Sequence, residues 1–367
     1  VYVNYSAGAG YSRNMSMNDS TGDTWKLSVV VPDILENITY SFHAKDGGGN
    51  WNRTLNSSVA VTDDDEPMLI THIPVNCTTG EKLNLTVEAT DNIELDYVEV
   101  SYEYQYGPPE KANLTHGSDN NWSKEITVKH LPGNIEVNFK ALDTSGNIKR
   151  TSNHSIGISD NDRPWFVEDR SDPNGTTGDQ VTFAANLSDN IQVASAWVVY
   201  DDGKGFSGNV SMDNEIGQNW SAEVTCTEKP GNLTYNFGFN DTSGNQNRSG
   251  NLVLEITDND PPLFSNRIYP EVTTGDNATF GITCVDNLAP VGVWMVYRIA
   301  NGTIHNVSMT GSVNYTVTIR IPSDATEMIS HYYTAVDAEG NWAISSSTSL
   351  HIFDDASPVL GFDHTPD

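Results

Sequence analysis

The sequence is built on a repeat of 97 residues, and this period constrains the fold more than any other feature. Successive acidic segments, TDDDEPML, SDNDRPWF, TDNDPPLF and FDDASPVL, carry Pro67, Pro164, Pro261 and Pro358 at intervals of 97 residues. Solenoid repeats span about 20–50 residues, whereas a compact domain commonly has about 100. Each repeat is therefore predicted to be a complete domain, and the chain is predicted to be an array of such domains.

Three further motifs recur with nearly the same step. TTG occurs at 78–80, 176–178 and 273–275, DN occurs at 91–92, 189–190 and 286–287, and Asp-x-x-Gly-Asn begins at Asp46, Asp143, Asp241 and Asp337. These landmarks predict a partial repeat at 1–65 that lacks its first two strands, whole repeats at 66–162, 163–259 and 260–356, and the first strand of a further repeat at 357–367. The partial repeat indicates either a portion of a longer chain or a gap that a neighbour's strand fills.

Alternation of apolar and polar residues predicts that every repeat consists of strands. In the third repeat Val181, Phe183, Ala185 and Leu187 alternate with polar residues, and four similar sets follow. A strand after the proline and a short strand at NVSM complete seven in about 97 residues, separated by Gly, Asn and Asp turns. The predicted fold class is all-β, a tandem array of seven-stranded immunoglobulin-like β-sandwiches.

The composition excludes several classes of protein. With 49 acidic and 19 basic residues the formal net charge is −30, which repels nucleic acid and anionic membranes and attracts cations. Three cysteines do not make a disulfide framework, and Cys226 and Cys284 continue apolar series and are predicted to be core residues. No run of 18 apolar residues occurs, so the sequence predicts no membrane-spanning helix in this stretch.

Acceptor sites for N-linked sugar are unusually dense. The tripeptide Asn-x-Ser/Thr occurs 22 times, about three times what these residues would give by chance. Several sites recur at equivalent positions, some of them just before an inward-facing aromatic residue. The strongest candidates for glycosylation are Asn14, Asn113, Asn121, Asn209, Asn219, Asn306 and Asn314. Glycans imply an exported protein, so an extracellular or cell-surface location is predicted.

Catalytic motifs are absent from the sequence. The histidines are scattered without zinc-site spacing, and there is no nucleophile elbow, P-loop or dinucleotide fingerprint. The acidic groups occur at the same places in every repeat, whereas an active site normally occurs once. The sequence therefore predicts that this stretch is not an enzyme.

These motifs resemble two known kinds of repeat. DNDPP, DNDRP and DDDEP are similar to the Asp/Asn-rich linkers of cadherin-type calcium-binding arrays. The whole unit, with TTGD, DN, VWMVY and DTSGN, resembles the tandem immunoglobulin-like repeats of archaeal and bacterial surface proteins. The resemblance covers nearly the full length, and it implies a protein of a surface layer, sheath or filament. The sequence departs from cadherins in having no D-R-E-type acidic motif within the domain.

The immunoglobulin-like topology predicts calcium sites at one end of each repeat. The chain entry, the loop between the second and third strands and the loop between the sixth and seventh strands meet there, and calcium takes 6–8 oxygen ligands. The candidate ligands are Asp63, Asp64, Asp65, Asp91, Asn92, Asp143 and Asn147 in repeat two, Asp160, Asn161, Asp162, Asp189, Asn190, Asp241 and Asn245 in repeat three, and Asp258, Asn259, Asp260, Asp286, Asn287, Asp337 and Asn341 in repeat four. The alternative is that these residues serve turn chemistry alone.

Three functions remain compatible with the sequence. The first is a structural extracellular protein, a glycosylated and calcium-stabilised rod that assembles with copies of itself. The second is an adhesin arm that presents a binding tip, for which the divergent segment YEYQYGPPEK at 102–111 is the candidate. The third is the stalk of a cell-surface hydrolase. A structural array keeps its repeats alike, so uniformity favours the first function.

Overall fold

The computed structural model describes residues 1–8 and 10–357 and is all-β. The predicted first strand of a further repeat, apart from residue 357, lies outside the described residues. The chain forms two compact units, Val1–Asp162 and Arg163–Asp367. Both are built of immunoglobulin-like sandwiches, so the predicted fold class is confirmed. In the described ranges, no helix has the length and apolarity needed to cross a membrane.

The first unit begins with a partial sandwich. Its strands are β1 (Tyr2–Ala7), β2 (Tyr11–Ser16), β3 (Asn18–Asp19), β4 (Trp25–Lys26), β5 (Ile38–Lys45), β6 (Trp51–Arg53) and β7 (Ser57–Val59). The main sheet has the order β2-β1-β5-β6, with β7 also paired to β5. Its small buried core consists of Val3, Tyr5, Ala7 and Ile38.

A whole sandwich follows in the same unit. Its strands are β8 (Met68–His72), β9 (Asn76–Thr78), β10 (Lys82–Thr90), β11 (Leu95–Tyr104), β12 (Glu110–Asn113), β13 (Thr115–His116), β14 (Asn121–Thr127), β15 (Gly133–Asp143), β16 (Ile148–Arg150) and β17 (His154–Ser159). One sheet has the order β13-β14-β10-β8, and the other has the order β12-β11-β15-β17-β9 with β16 on β15.

The second unit begins with a whole sandwich. Its strands are β18 (Trp165–Asp169), β19 (Asn174–Thr176), β20 (Gln180–Ser188), β21 (Val193–Asp201), β22 (Ser207–Asn214), β23 (Asn219–Thr225), β24 (Gly231–Asp241), β25 (Gln246–Arg248) and β26 (Leu252–Thr257). One face is β18-β20-β23 and the other is β22-β21-β24-β26-β19, and β22 pairs with strands of both.

The last described sandwich has the same plan. Its strands are β27 (Leu263–Ile268), β28 (Asn277–Val285), β29 (Gly292–Ile299), β30 (His305–Ser308), β31 (Asn314–Arg320), β32 (Met328–Val336), β33 (Trp342–Ile344) and β34 (Thr348–His351). The sheets are β27-β28-β31 and β30-β29-β32-β33, with β34 also on β32. A parallel bridge from Thr273 to Phe353 takes the place of the β19–β26 pairing.

The core of each sandwich lies where the alternation predicts it. Val181, Phe183, Ala185 and Leu187 are all buried, and they pack with the inward side chains of the facing sheet. A one-residue slip of β20 would turn all four to solvent, so this pattern fixes the register of the strand. Cys226 and Cys284 are buried members of these cores, as predicted, and all three cysteines are free thiols.

Repeat three contains nine strands rather than the predicted seven. The additional strands are β19 and β25, each of three residues. Strand β19 pairs in parallel with β26, and it carries the first Thr of the TTG motif. So short a strand shows no alternation, because alternation needs at least four residues to be recognised. The parallel pairing of β19 turns the chain between the two sheets and places the TTG loop beside the exit of β26.

Candidate metal centre

Two groups of three aspartates form the strongest candidate site. The N-terminal triad is Asp63, Asp91 and Asp143, in the first unit. The C-terminal triad is Asp258, Asp286 and Asp337, in the second unit. Within each triad, one carboxylate oxygen of every member lies within 4.8 Å of the others. The members come from the linker and from two loops, which are the three segments that the topology was predicted to bring together.

The loop after the sixth main strand fixes one member of each triad. Asp337 is 1% exposed, and its Oδ1 accepts hydrogen bonds from the backbone amides of Glu339, Gly340 and Asn341 at 2.7–2.9 Å. The Asn341 side chain donates to Asp337 Oδ2 at 2.8 Å and to the backbone oxygen of Asp258 at 3.3 Å. The Asp-x-x-Gly-Asn motif therefore closes its own loop and ties that loop to the linker.

The same motif has the same structure in the first unit. Asp143 Oδ1 accepts from the amides of Ser145 and Asn147, and Asn147 Nδ2 donates to Asp143 Oδ2 at 2.8 Å and to the backbone oxygen of Asp63 at 3.3 Å. Gly146 has a φ of +99°, a conformation that L side chains rarely adopt. This requirement explains the recurrent glycine in the fourth position of the motif.

The loop after the second main strand supplies the middle member of each triad. Asp91 Oδ2 accepts from the backbone amides of Ile93 and Glu94 at 2.9 and 3.2 Å, which leaves Asp91 Oδ1 directed elsewhere. The neighbouring Asn92 donates to the Asp63 and Asp65 carboxylates at 3.1 and 3.2 Å. The DN pair thus contributes one acidic group to the triad and one amide that holds the linker.

The linker member of the C-terminal triad is buried. Asp258 is 7% exposed, and its Oδ1 accepts hydrogen bonds from Asn287 Nδ2 at 2.6 Å and from Thr177 Oγ1 at 2.7 Å. Asp260, two residues later, accepts from the same Thr177 hydroxyl at 2.8 Å through Oδ2. The position of this linker is therefore set by polar contacts from both sandwiches of the second unit.

Several buried carboxylate oxygens of the triads have no hydrogen-bond partner among the residues that the structure describes. They are Asp63 Oδ2, Asp91 Oδ1, Asp258 Oδ2 and Asp286 Oδ2. In the part of the chain that the structure describes, no ion pair with Lys, Arg or His involves a triad member. A buried carboxylate oxygen without a donor is costly. A positive charge bound in each triad would stabilise these oxygens.

The pKa values of the C-terminal triad diverge according to their surroundings. Burial raises the pKa of Asp286, and the neighbouring carboxylates of Asp258 and Asp337 raise it further. Burial also acts to raise the pKa of Asp337, but the hydrogen bonds from the Asn341 side chain and the loop amides outweigh it, so that pKa is lowered. The loop amides and Asn341 thus favour the anionic form of Asp337, whereas burial and the two neighbouring carboxylates disfavour the anionic form of Asp286.

The donor set fits calcium better than other biological metals. Every group directed into a triad is a carboxylate oxygen, and no cysteine or histidine belongs to either triad. Hard oxygen donors favour calcium or magnesium over zinc. Calcium accepts 6–8 oxygens in flexible geometry, whereas magnesium demands a near-ideal octahedron. Three carboxylates on separate segments, which have no fixed octahedral arrangement, suit the larger ion.

The candidate ligands of repeat three are divided between the two compact units. In the second unit, Asp241 accepts from the amides of Ser243 and Asn245 and from the Asn245 side chain, and Asp189 Oδ2 accepts from the amides of Ile191 and Gln192. These contacts repeat those of the two triads. In the first unit, Asp160 Oδ1 and Asp162 Oδ2 accept from Thr79 Oγ1. A common site made of Asp160, Asn161, Asp162, Asp189, Asn190, Asp241 and Asn245 stays a prediction.

Some predicted ligands have other roles in the structure. Asn92, Asn147, Asn287 and Asn341 were predicted to supply amide oxygens, but each donates its Nδ2 hydrogen to a carboxylate. Their NH₂ groups hold the carboxylates in place, and they do not act as oxygen ligands toward the triad. The middle linker residues Asp64, Asn161 and Asn259 are exposed, and Asn259 donates to Asp179 at 3.0 Å. Successive side chains of an extended linker point in opposite directions, so the middle one faces away.

The threonines that hold the linkers were not among the predicted site residues. Thr79 and Thr177, the second threonines of their TTG motifs, are buried and bond to linker aspartates. The recurrence of TTG at the repeat period was the available signal. Its role was hidden because the linker that it contacts lies about 80 residues further along the chain.

The candidate glycosylation sites differ in exposure. Exposed side chains are found at Asn14, Asn113, Asn209, Asn306 and Asn314, whereas Asn121 and Asn219 are half-buried. Asn219 Oδ1 accepts a hydrogen bond from Arg170 at 3.1 Å. The exposed asparagines are accessible to a bulky modification, and the half-buried pair is less so.

Comparisons with known proteins find similar tandem-repeat domains among solved structures. No family model matches the chain, and no curated protein matches it in sequence. A three-domain immunoglobulin segment of titin, I67–I69, is 10% identical with a TM-score of 0.41, covering 79% of this chain and 99% of that chain. A four-repeat stretch from the extending region of a large adhesion protein is 17% identical with a TM-score of 0.39, covering 96% and 91%. At these values the similarity extends no further than the fold.

A third solved structure carries a description that mentions calcium. It is an adhesin described as Ca²⁺-stabilised and as helping an Antarctic bacterium to bind ice. Its sequence is 13% identical to this chain, with a TM-score of 0.31, and the match covers 96% of this chain and 90% of that one. The chain is thus similar to tandem immunoglobulin-like arrays, some of which are repeat regions of adhesins.

Proposed function

We propose that this chain is an extracellular structural protein, a glycosylated rod of immunoglobulin-like repeats that calcium stabilises at the repeat junctions. It would serve as part of a cell-surface filament, sheath or surface layer, assembled from copies of itself. The observation that carries the proposal is the pair of aspartate triads, each with buried carboxylate oxygens that accept no hydrogen bond from the described part of the chain. Calcium would be held by Asp63, Asp91 and Asp143, and again by Asp258, Asp286 and Asp337.

The position of the triads explains why a rod would need calcium. Each triad joins a linker aspartate to two loops of the sandwich that follows it. A bound cation would neutralise mutual repulsion and fix the linker relative to that sandwich. The linker prolines stiffen the exit, because proline fixes φ. A string of independently folded domains would thereby become stiffer without any new apolar contact.

Uniformity of the repeats supports a structural role over a binding tip. The divergent segment 102–111 is engaged in its own packing: Tyr102 donates to Glu110 at 2.9 Å, and Lys129 bonds to Glu110 at 2.7 Å while lying over the Tyr104 ring. Tyr106 is the aromatic residue of this segment that is largely exposed. One exposed ring is a small feature for a ligand site, since such sites combine several convergent groups.

Thermal unfolding with and without calcium tests the proposal. We expect calcium at a thousandfold excess over its dissociation constant to stabilise a repeat by about 4 kcal/mol, which corresponds to a shift of more than ten degrees for a domain of this size. Magnesium at the same concentration serves as the control and should shift the melting temperature much less. Identical melting curves in calcium and in chelator would contradict the proposal.

Sugar is expected on Asn209, Asn306 and Asn314, whose side chains are exposed on the sandwich surface. Native protein should therefore exceed the polypeptide mass of 40.1 kDa, and peptides containing these three residues should carry glycans. Asn219 is the internal comparison, since its side chain is half-buried and should be modified less. Recovery of all three peptides in unmodified form would remove glycosylation from the proposal.

A further inference from the structure

We infer that the second threonine of the TTG motif is a positioning residue for the cation site at the following junction. In the second unit this residue is Thr177, which holds two linker aspartates without belonging to the C-terminal triad. The inference rests on the proposed function and adds a determinant that lies in the sandwich preceding the junction. The chemical class of the ligand is a divalent cation with oxygen preference.

Thr177 contacts both Asp258 and Asp260 through one hydroxyl, and we call this pair of contacts the clamp. Its side chain is 1% exposed, and its hydroxyl lies 2.7 Å from Asp258 Oδ1 and 2.8 Å from Asp260 Oδ2. The backbone amide of Thr177 donates to the carbonyl of Thr257 at 3.0 Å, which fixes the loop against the end of β26. A rigid loop therefore presents one hydroxyl to both acids of the linker.

The single hydroxyl proton of Thr177 is shared between two carboxylates. Threonine has one O–H donor, while both Asp258 and Asp260 stand within bonding distance of it. Asp258 Oδ1 has a second donor in Asn287, at 2.6 Å. The arrangement is short of positive charge, and it brings the two linker carboxylates close together at a cost that a cation in the adjacent triad would offset.

The contact recurs in other repeats. Thr79 Oγ1 lies 2.8 Å from Asp160 Oδ1 and 3.2 Å from Asp162 Oδ2 within the first unit. Thr274 Oγ1 donates to Asp354 Oδ1 at 3.0 Å in the second unit. Neither an apolar core nor a turn requires a hydroxyl at these buried positions. Turn chemistry therefore does not explain why threonine recurs there. Clamping of the linker acids does.

Clamping determines which oxygen of Asp258 faces the triad. Because Oδ1 accepts hydrogen bonds from Thr177 and Asn287, Oδ2 is the oxygen left to bind a cation together with Asp286 and Asp337. If the hydroxyl were lost, the Asp258 carboxylate would keep the hydrogen bond from Asn287 but could turn away from the triad, and the ordering would have to be supplied by cation binding itself. Groups that orient metal ligands from behind typically change metal affinity by 10–100-fold.

The test uses the full chain and hydrogen-exchange mass spectrometry across a calcium titration. Peptides covering 284–290 and 337–341 report the C-terminal triad, and peptides covering 89–95 and 143–147 report the N-terminal triad. We expect Thr177→Val to raise the calcium midpoint of the C-terminal peptides about tenfold and to leave that of the N-terminal peptides unchanged. Thr177→Ser, which keeps the hydroxyl, should stay within about twofold of the parent.

Thr176→Val is the matched control, because Thr176 bonds to Asp179 and does not touch the linker aspartates. Peptides from β24 verify that the third repeat remains folded, and Asp260→Asn provides a second perturbation of the clamp if Thr177→Val does not fold. An unchanged calcium midpoint in Thr177→Val, with the parent responding to calcium, would overturn the positioning role alone. Absence of any calcium response in the parent would overturn the proposed function as well.

Discussion

Asp286→Asn is expected to have opposite effects on the fourth repeat in the presence and absence of calcium. Without calcium, the substitution removes a carboxylate that burial and two neighbouring aspartates already disfavour as an anion. Relief of that repulsion should stabilise the metal-free repeat by about 1 kcal/mol. With calcium, the loss of a charged ligand should weaken binding about a hundredfold. The melting temperature should therefore rise in chelator and lose most of its calcium response.

This reversal in the sign of the stability change distinguishes a cation site from an acidic surface that binds no ion. If Asp286 served only as a capping group for its loop, asparagine would be neutral or destabilising in both conditions. Asp324→Asn is the charge-matched control, because Asp324 is exposed and lies outside the triad. It should leave both melting temperatures within a degree of the parent. A variant Asp286→Asn that binds calcium as tightly as the parent would contradict the assigned role of this carboxylate.

Acid is expected to destabilise the fourth repeat through His331, independently of the carboxylates. His331 is fully buried, and neither ring nitrogen has a hydrogen-bond partner among the described residues. Its ring packs edge-on against Phe280 and Tyr333, with centroids at 4.9 and 5.6 Å. Burial, followed by the charge of Arg267, lowers its pKa from 6.5 to about 4. The folded repeat therefore contains the neutral ring.

The sign of the pH dependence follows from the lowered pKa. The unfolded chain binds a proton at His331 below about pH 6.5, whereas the folded chain does so only below about pH 4. Protonation thus favours unfolding throughout that interval, and the loss of stability should reach about 3 kcal/mol at its lower end. Above pH 7 the group should contribute no pH dependence.

His331→Phe is the variant that isolates this effect. Repeat three has Tyr235 at the equivalent register position, so an aromatic ring of this kind fits the strand. The difference in unfolding free energy between the variant and the parent should grow as the pH falls from 7 to 4, by about 3 kcal/mol. Measurement in chelator excludes competition between protons and calcium. Parallel stability curves over this interval would show that His331 does not titrate as described.

Much of the fold followed from the sequence because the repeat supplied several independent copies of each signal. Alternation at Phe183 and its neighbours determined which face of β20 is buried. The topology then determined which loops meet, and this alone brought Asp286 and Asp337 beside Asp258. None of these inferences depends on the conformation of individual side chains.

What the sequence could not provide depends on such conformations. Whether Asn287 offers its oxygen or its NH₂ group is decided by a neighbouring carboxylate, and the structure shows the amide donating. Thr177 acts on a linker more than 80 residues away in sequence, which no local pattern shows. Strand β19 is too short to alternate, so the parallel pairing that positions Thr177 was not foreseen.

Anomalous X-ray diffraction from crystals of the full chain, grown with saturating calcium, shows whether an ion occupies the C-terminal triad. We expect an anomalous peak bonded to Asp258, Asp286 and Asp337, with calcium–oxygen distances of about 2.3–2.6 Å and with Asp258 Oδ2 among the ligands. Triad carboxylates that are separated by water alone, with no anomalous peak between them at saturating calcium, would contradict it.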